Sequence, residues 1–150
     1  MTGIMQASLH GKRIGITKEN NLVSNGIDIT QPCVGATITV GAEATNVRAI
    51  TIQLTDSEGN DIAYQEVVDV FVTLGANLNA IVTTGGSTGI AIGTDGAILS
   101  TVVAKKHFIV ASESDGDIDL TWTDTGTEAA YLAVRLPTGR VVFSDALTNT

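Results

Sequence analysis

Three aspartates stand at alternate positions, Asp115, Asp117 and Asp119, in the stretch SDGDIDLTWTDTG. Carboxylate oxygens are the ligands that Ca²⁺ prefers in proteins, so this spacing raises the question of a metal site. An EF-hand loop counted from Asp115 requires Gly at its sixth position and Glu at its twelfth. This chain has Leu120 and Gly126 there, so the EF-hand pattern is absent.

The residues between these aspartates are apolar and include Ile118, Leu120 and Trp122. Alternation of apolar and polar residues is typical of a β-strand with one buried face. The sequence therefore predicts a turn at Asp115 and Gly116, followed by a strand whose polar face carries Asp117 and Asp119, with no metal site and no cofactor. A loop calcium ion shared with Asp124 or Glu113 is the alternative.

The string GGSTG at 85–89 matches the G-x-S-x-G pattern of serine hydrolases, in which the serine follows a strand, precedes a helix and uses a histidine. The residues after Ser87 have no helical period, and the only later histidine, His107, lies in a predicted strand. Neither His10 nor His107 has a partner at metal-ligand spacing, so both are predicted as ordinary surface or strand-face side chains. The sequence predicts no catalytic residue, a protein that is not an enzyme, and a flexible glycine loop around Ser87.

Basic residues are concentrated at the N-terminus. Lys12, Arg13 and Lys18 stand against one acid, Glu19, in the first twenty residues, while the other 130 residues carry 5 bases and 15 acids. With a net charge of −8, the chain lacks the excess of Lys and Arg that binding to the phosphates of nucleic acid requires, so no nucleic-acid partner is expected. The N-terminal charges indicate either a solvated terminus or an arm that docks on an acidic partner. Lys12, Arg13 and Lys18 are therefore the candidate partner-binding residues.

The elements that position these residues are predicted to be β-strands. From residue 36 onward, short alternating runs are separated by turn sequences, and no stretch has the period of an amphipathic helix. The runs RAITIQLT (48–55) and IAYQEVVDVFVT (62–73) are joined by a polar loop, which predicts a β-hairpin. The glycine-rich residues 74–97 are predicted to form a long loop or an irregular edge.

Seven or eight such strands predict an all-β fold, an antiparallel β-sandwich of the immunoglobulin-like kind, with a jelly roll or small barrel as the alternative. Residues 1–35 are predicted to form a partly extended N-terminal arm with a small hairpin, and residues 36–150 the sandwich domain. Cys33, the only cysteine of the 150 residues, is predicted to be a small buried hydrophobe. Without a run of about 20 apolar residues or a signal-peptide pattern, no membrane partner is expected.

The C-terminal two-thirds of the chain resembles the Ig-like β-sandwich modules of virion proteins from tailed bacteriophages. The stretch AITIQLTDSEGNDIAYQEVVDVFVT (49–73) is similar to their opening hairpin, in which a D-x-x-G-N turn joins two long strands. The stretch SDGDIDLTWTDTGTEAAYLAVRLPTGRVVFSD (114–145) is similar to their closing pattern of turns and strands. The first 35 residues match no motif of these modules, and the segment 74–97 is longer than they usually need.

Small proteins of this group are capsid decoration (cement) or head-fibre proteins. The resemblance therefore implies a virion structural protein on the capsid surface, a dimer or trimer seated on the major capsid protein. A tail or tail-fibre module is an alternative within this class. A carbohydrate-binding or adhesin-like Ig domain is an alternative from another class, and it would need exposed aromatic side chains. We expect Trp122 and Tyr131 in or near the core.

Overall fold

The computed structural model describes residues 32–150 in full and, before them, the backbone of four short strands. The chain divides into two compact units, Met1–Pro32 and Cys33–Thr150. The hairpin predicted in the N-terminal segment is present as the β2–β3 pair of an antiparallel sheet with the order β1-β2-β3-β4. Its strands are β1 (Met5–Leu9), β2 (Lys12–Ile16), β3 (Leu22–Ser24) and β4 (Ile27–Asp28).

The second unit contains two antiparallel sheets. One has four strands in the order β5-β6-β11-β8, and the other has five in the order β13-β12-β7-β10-β9. The sheets do not close on each other, so the predicted β-sandwich is confirmed and the small barrel is not. The strands are β5 (Gly35–Val40), β6 (Val47–Thr55), β7 (Val67–Thr73), β8 (Gly89–Ile92), β9 (Ala97–Val103), β10 (His107–Ala111), β11 (Asp117–Thr123), β12 (Tyr131–Arg135) and β13 (Val141–Ala146).

The strand order is that of a constant-type immunoglobulin domain with one hairpin added. Strands β5, β6, β7, β8, β11, β12 and β13 correspond to A to G, since the two sheets then contain A-B-E-D and C-F-G. The added hairpin, β9 and β10, enters the chain between the D and E positions and extends the second sheet beyond β7. As a result β9 becomes the outer edge of the five-stranded sheet.

Alternation along the strands builds the core between the two sheets. On β11, Ile118, Leu120 and Trp122 are at most 1% exposed, while the residues between them are half-buried on the other face. The prediction that Trp122 lies in the core is confirmed, and Tyr131 is half-buried at the start of β12. The core also contains Ile50, Ile52, Leu54, Val68, Val70, Val72, Val110, Leu132 and Val134. Within the described residues, no helix has the length and apolarity needed to span a bilayer.

The predicted hairpin between 48–55 and 62–73 is wrong. β6 and β7 belong to different sheets, and β7 begins only at Val67. The reason lies at Ile62, whose N–H donates to the carbonyl oxygen of Leu54 at 3.1 Å and whose side chain is 1% exposed. Burying Ile62 under β6 directs the chain to the opposite sheet through residues 63–66, which form no strand.

Candidate functional site

Asp117 and Asp119 lie on the half-exposed face of β11, as predicted from the alternation. A third carboxylate, Asp95, reaches them from the segment after β8. The N–H of Gly93 donates to the carbonyl oxygen of Asp119 at 2.7 Å, and the N–H of Asp119 donates to that of Asp95 at 2.9 Å. A Cβ atom on Gly93 would lie 2.9 Å from the Cβ of Asp119, so only glycine permits this approach. One carboxylate oxygen from each aspartate lies within 4.8 Å of the other two, and we call these three residues the acidic cluster.

The acidic cluster concentrates negative charge that no cation of the described chain offsets. Burial, followed by the charges of Asp119 and Asp95, raises the pKa of Asp117 above its usual range. The Oδ1 atom of Asp117 is buried and has no hydrogen-bond partner among residues 32–150, whereas the hydroxyl of Thr51 donates to Oδ1 of Asp119 at 2.9 Å. Within residues 32–150, no lysine or arginine forms an ion pair with any of the three aspartates.

The residues that the sequence offered for a shared calcium loop are engaged elsewhere. Asp124 accepts a hydrogen bond from the N–H of Gly126 at 3.0 Å, and Glu113 accepts one from the N–H of Gly96 at 3.2 Å. Ca²⁺ takes six to eight oxygen ligands, more than three carboxylates supply with one oxygen each. Sequence reasoning missed Asp95, because no local pattern links it to a strand that begins more than twenty residues later.

Ser87 and His107, the two residues singled out by the hydrolase pattern, have separate partners. The Ser87 hydroxyl donates to the carbonyl oxygen of Thr123 at 3.4 Å and accepts from the N–H of Thr125 at 3.2 Å. His107 Nε2 lies 3.3 Å from Oδ1 of Asp69. The structure therefore uses Ser87 to attach its loop to the end of β11, and it does not bring Ser87 and His107 together as hydrogen-bond partners.

A second polar group lies on the outer face of the five-stranded sheet and was not found by sequence reasoning. The carboxylate of Asp69 on β7 contacts His107 from one neighbouring strand and Arg135 from the other. The distance from Arg135 Nη1 to Oδ2 of Asp69 is 3.5 Å. The Arg135 guanidinium also lies 5.5 Å above the ring of Phe71. These residues meet only because three strands are paired, so their separation in sequence gave no signal.

Residues 74–88 form an irregular loop whose backbone is fixed at several points. The N–H of Leu74 donates to the carbonyl oxygen of Ala80, and the N–H of Val82 to that of Val72, each at 3.0 Å. An isolated bridge pairs Thr73 with Ile81. The loop predicted for residues 74–97 is therefore present up to residue 88, and the strand that forms within this range is β8.

Three charged side chains hold the second half of this loop. Glu128 accepts hydrogen bonds from the N–H of Thr83 at 2.7 Å and from the hydroxyl of Thr84. The ammonium group of Lys106 donates to the carbonyl oxygen of Thr83 at 2.5 Å, and that of Lys105 to the carbonyl oxygen of Ser87 at 2.8 Å. The glycine loop, which was predicted to be flexible, is thus attached to the sandwich by these hydrogen bonds.

The attached loop displays apolar side chains to solvent. Leu74, Leu78 and Ile81 are 38%, 59% and 43% exposed, and we call these three residues the apolar loop patch. Residues 74–94 contain no charged side chain. A fixed backbone that exposes apolar side chains can form a contact surface without first becoming ordered.

Of the predicted partner-binding residues, Lys12 and Arg13 belong to β2, but their side chains lie outside the described residues. Lys18 lies outside the described residues altogether. Their role in partner binding stays a prediction. Comparison of the chain with family models, with curated proteins and with solved structures found no match in any of the three.

Proposed function

We propose that this protein is a structural component of a tailed-phage virion, a capsid decoration (cement) protein that binds the major capsid protein and stabilises the shell. The observation that carries the proposal is the apolar loop patch, held in place on a β-sandwich. The resemblance of the sandwich strands to virion modules supplies the class of partner.

The loop patch suits a protein partner because it is apolar and lacks charge over residues 74–94. Charged residues are depleted at the centre of protein interfaces, where apolar and aromatic side chains are enriched. Backbone hydrogen bonds of Leu74 and Val82 already hold the patch segment, and Glu128, Lys105 and Lys106 hold the residues after it. Binding therefore costs little conformational entropy. A preformed surface of this kind favours a permanent assembly role.

The proposed mechanism is multivalent capping. Each copy contributes a modest interface, and association of copies raises the effective concentration, so that all contacts form together. The N-terminal residues Lys12, Arg13 and Lys18 add attraction to an acidic partner surface. The sandwich unit, with 5 bases and 14 acids in residues 33–150, would be repelled by such a surface without them.

The alternatives have less support. A tail or tail-fibre module would use the same loop patch on another virion partner. A carbohydrate-binding domain usually needs exposed aromatic rings, and among the six aromatic residues only Tyr64 is exposed, at 37%. Trp122, Phe71 and Phe108 are at most 5% exposed.

Binding to purified capsids that lack the protein tests this proposal. We expect the full-length chain to saturate such capsids, and Leu78→Asp to weaken binding about tenfold or more, because a charge would be placed in the contact. Ser57→Asp adds the same charge in the exposed β6–β7 connection and should bind like the unchanged protein. Replacement of Lys12, Arg13 and Lys18 by Gln should weaken binding and reduce its dependence on salt.

Three results would count against the proposal. Binding to purified tails but not to capsids would support the tail module instead. Binding to neither particle, with a correctly folded protein, would overturn the virion assignment. Equal binding by Leu78→Asp and Ser57→Asp would show that the apolar loop patch is not part of the interface.

A further inference from the structure

β9 is an edge strand with a partner on one side only. It pairs with β10, and no strand of residues 32–150 pairs with its other side. A free edge presents unpaired backbone N–H and C=O groups that can pair with another strand. Proteins usually protect such an edge with charged residues or proline, but residues 96–104 contain neither. The edge is therefore open to pairing.

The shape of β9 favours a partner that is bent in the same way. Two irregularities in its register leave Leu99 and Val102 without a partner on β10. These side chains are 57% and 50% exposed, and Val103 is 43% exposed. Bulges bend a strand and increase its twist, so a straight strand matches this edge poorly. A second copy of β9 has the same bend and twist.

The two ends of β9 carry opposite charges that are not offset within the described residues. The acidic cluster, including Asp95, lies at its beginning. Lys105 and Lys106 follow its end and donate hydrogen bonds to backbone carbonyl oxygens, but neither pairs with a carboxylate in residues 32–150. Antiparallel pairing of two identical strands places each beginning beside the partner's end. The charges of β9 are therefore complementary to those of a second β9.

We infer that β9 is a dimer interface, which pairs antiparallel with β9 of a second copy around a twofold axis at Ser100. Residues equally distant from Ser100 then face each other, so Asp95 lies opposite Lys105 of the partner subunit, and this contact occurs twice. Opposite charges across strands stabilise such a pair, and the apolar side chains of β9 become covered. The two five-stranded sheets join into one sheet of ten. This inference goes beyond capsid binding, because it concerns the free protein.

Sedimentation velocity of the full-length protein over a concentration series tests the interface. We expect a dimer. Ser100→Lys and Ser100→Glu each place two like charges together at the twofold axis, and each should weaken dimerisation at least tenfold. An equimolar mixture of these two variants should dimerise again, because Lys then meets Glu. Ser57→Lys, exposed in the β6–β7 connection, is the matched control and should dimerise like the unchanged protein.

The charge contact is tested by a second pair of variants. Asp95→Lys and Lys105→Glu should each weaken the dimer, and their equimolar mixture should restore it, since every contact in the mixed dimer joins opposite charges. A protein that stays monomeric up to about 100 μM, a trimer, or a dimer unaffected by the Ser100 variants would overturn the inference. A monomer that saturates capsids would leave capsid binding standing and would overturn multivalent capping by copies that associate beforehand. A dimer that fails to bind them would overturn the proposed function alone.

Discussion

The carboxylate of Glu128 accepts hydrogen bonds from the backbone N–H groups of both Thr83, at 2.7 Å, and Thr84, at 3.3 Å. Glu128 precedes β12, so this contact attaches the glycine-rich loop to a segment 44 residues later in the sequence. Burial opposes ionisation of Glu128, but hydrogen bonds from the Thr84 hydroxyl and the loop N–H groups outweigh it. They lower the pKa of Glu128 below its usual value of 4.5. One ionised side chain therefore contributes to holding the loop directly after the apolar loop patch.

The first prediction concerns this attachment. Glu128→Gln should reduce the hydrogen-exchange protection of the Thr83 and Thr84 amides about tenfold, since hydrogen bonds to a charged group are worth roughly 1.5–3 kcal/mol. A lowered carboxyl pKa stabilises the folded state above pH 4.5, and this stabilisation is lost as the pH falls through the folded-state pKa. Protection should therefore become similar in both proteins once the pH lies below the folded-state pKa of Glu128. Glu58→Gln, in an exposed turn, is the control, and an equal loss of protection in that variant would contradict the account.

The second prediction compares two leucines of opposite burial. Leu120 on β11 is 1% exposed, and Leu78 in the loop is 59% exposed. Leu120→Ala should lower the free energy of unfolding by about 2–5 kcal/mol, because it leaves a cavity between the sheets. Leu78→Ala should change it by no more than about 0.5 kcal/mol. Denaturant unfolding measures both values, and similar losses would mean that Leu78 is covered in the free protein.

Much of the fold was predictable because burial on one face leaves a period of two in the sequence. The alternation of apolar and polar residues around Ile118, Leu120 and Trp122 predicted a strand with one buried face, and β11 is that strand. The same logic failed between β6 and β7. A polar turn containing glycine marks a change of direction, but it does not state whether the next strand joins the same sheet or the facing one. Ile62 decides this through a tertiary contact.

The sites were less predictable than the fold. Asp117 and Asp119 were identified as neighbours because they share one strand face. Asp95 was missed, since it reaches them through backbone pairing of the β8–β9 connection with β11. Strand β8 was also missed, because its residues, GIAI, follow several glycines and lack polar alternation. Contacts between separate strands leave no local signal in one sequence.

The third prediction concerns Cys33, whose side chain is 2% exposed, as the sequence indicated. Burial, with a contribution from the charge of Glu66, raises the pKa of the Cys33 thiol to about 11. Only the thiolate reacts with a disulfide reagent, so the folded protein should react with an aromatic disulfide at pH 8 at least about 100-fold more slowly than a free cysteine. In denaturant, the same protein should release one equivalent of the aromatic thiol at once. Rapid release from the folded protein would show that the region around Cys33 opens.

The last prediction concerns the like charges of the acidic cluster. The pKa of Asp117 is raised by burial and by the neighbouring aspartates, so its ionised form destabilises the folded state above that pKa. Asp117→Asn should therefore increase the free energy of unfolding at pH 7 by about 0.2–1 kcal/mol, the usual size of an interaction between two charged side chains on a sheet. The gain should shrink as the pH falls through the raised pKa and should vanish below 3.8, where Asp117 is protonated in both states.

Chemical denaturation of this variant between pH 3 and pH 8, at a concentration where the protein is monomeric, provides the measurement. Asp145→Asn removes an exposed carboxylate outside the cluster and is the matched control. It should change the unfolding free energy little at any of these pH values. A loss of stability at pH 7 in Asp117→Asn, absent from the control, would mean that the Asp117 carboxylate is held by a cation. The acidic cluster would then be a binding site and not a source of repulsion.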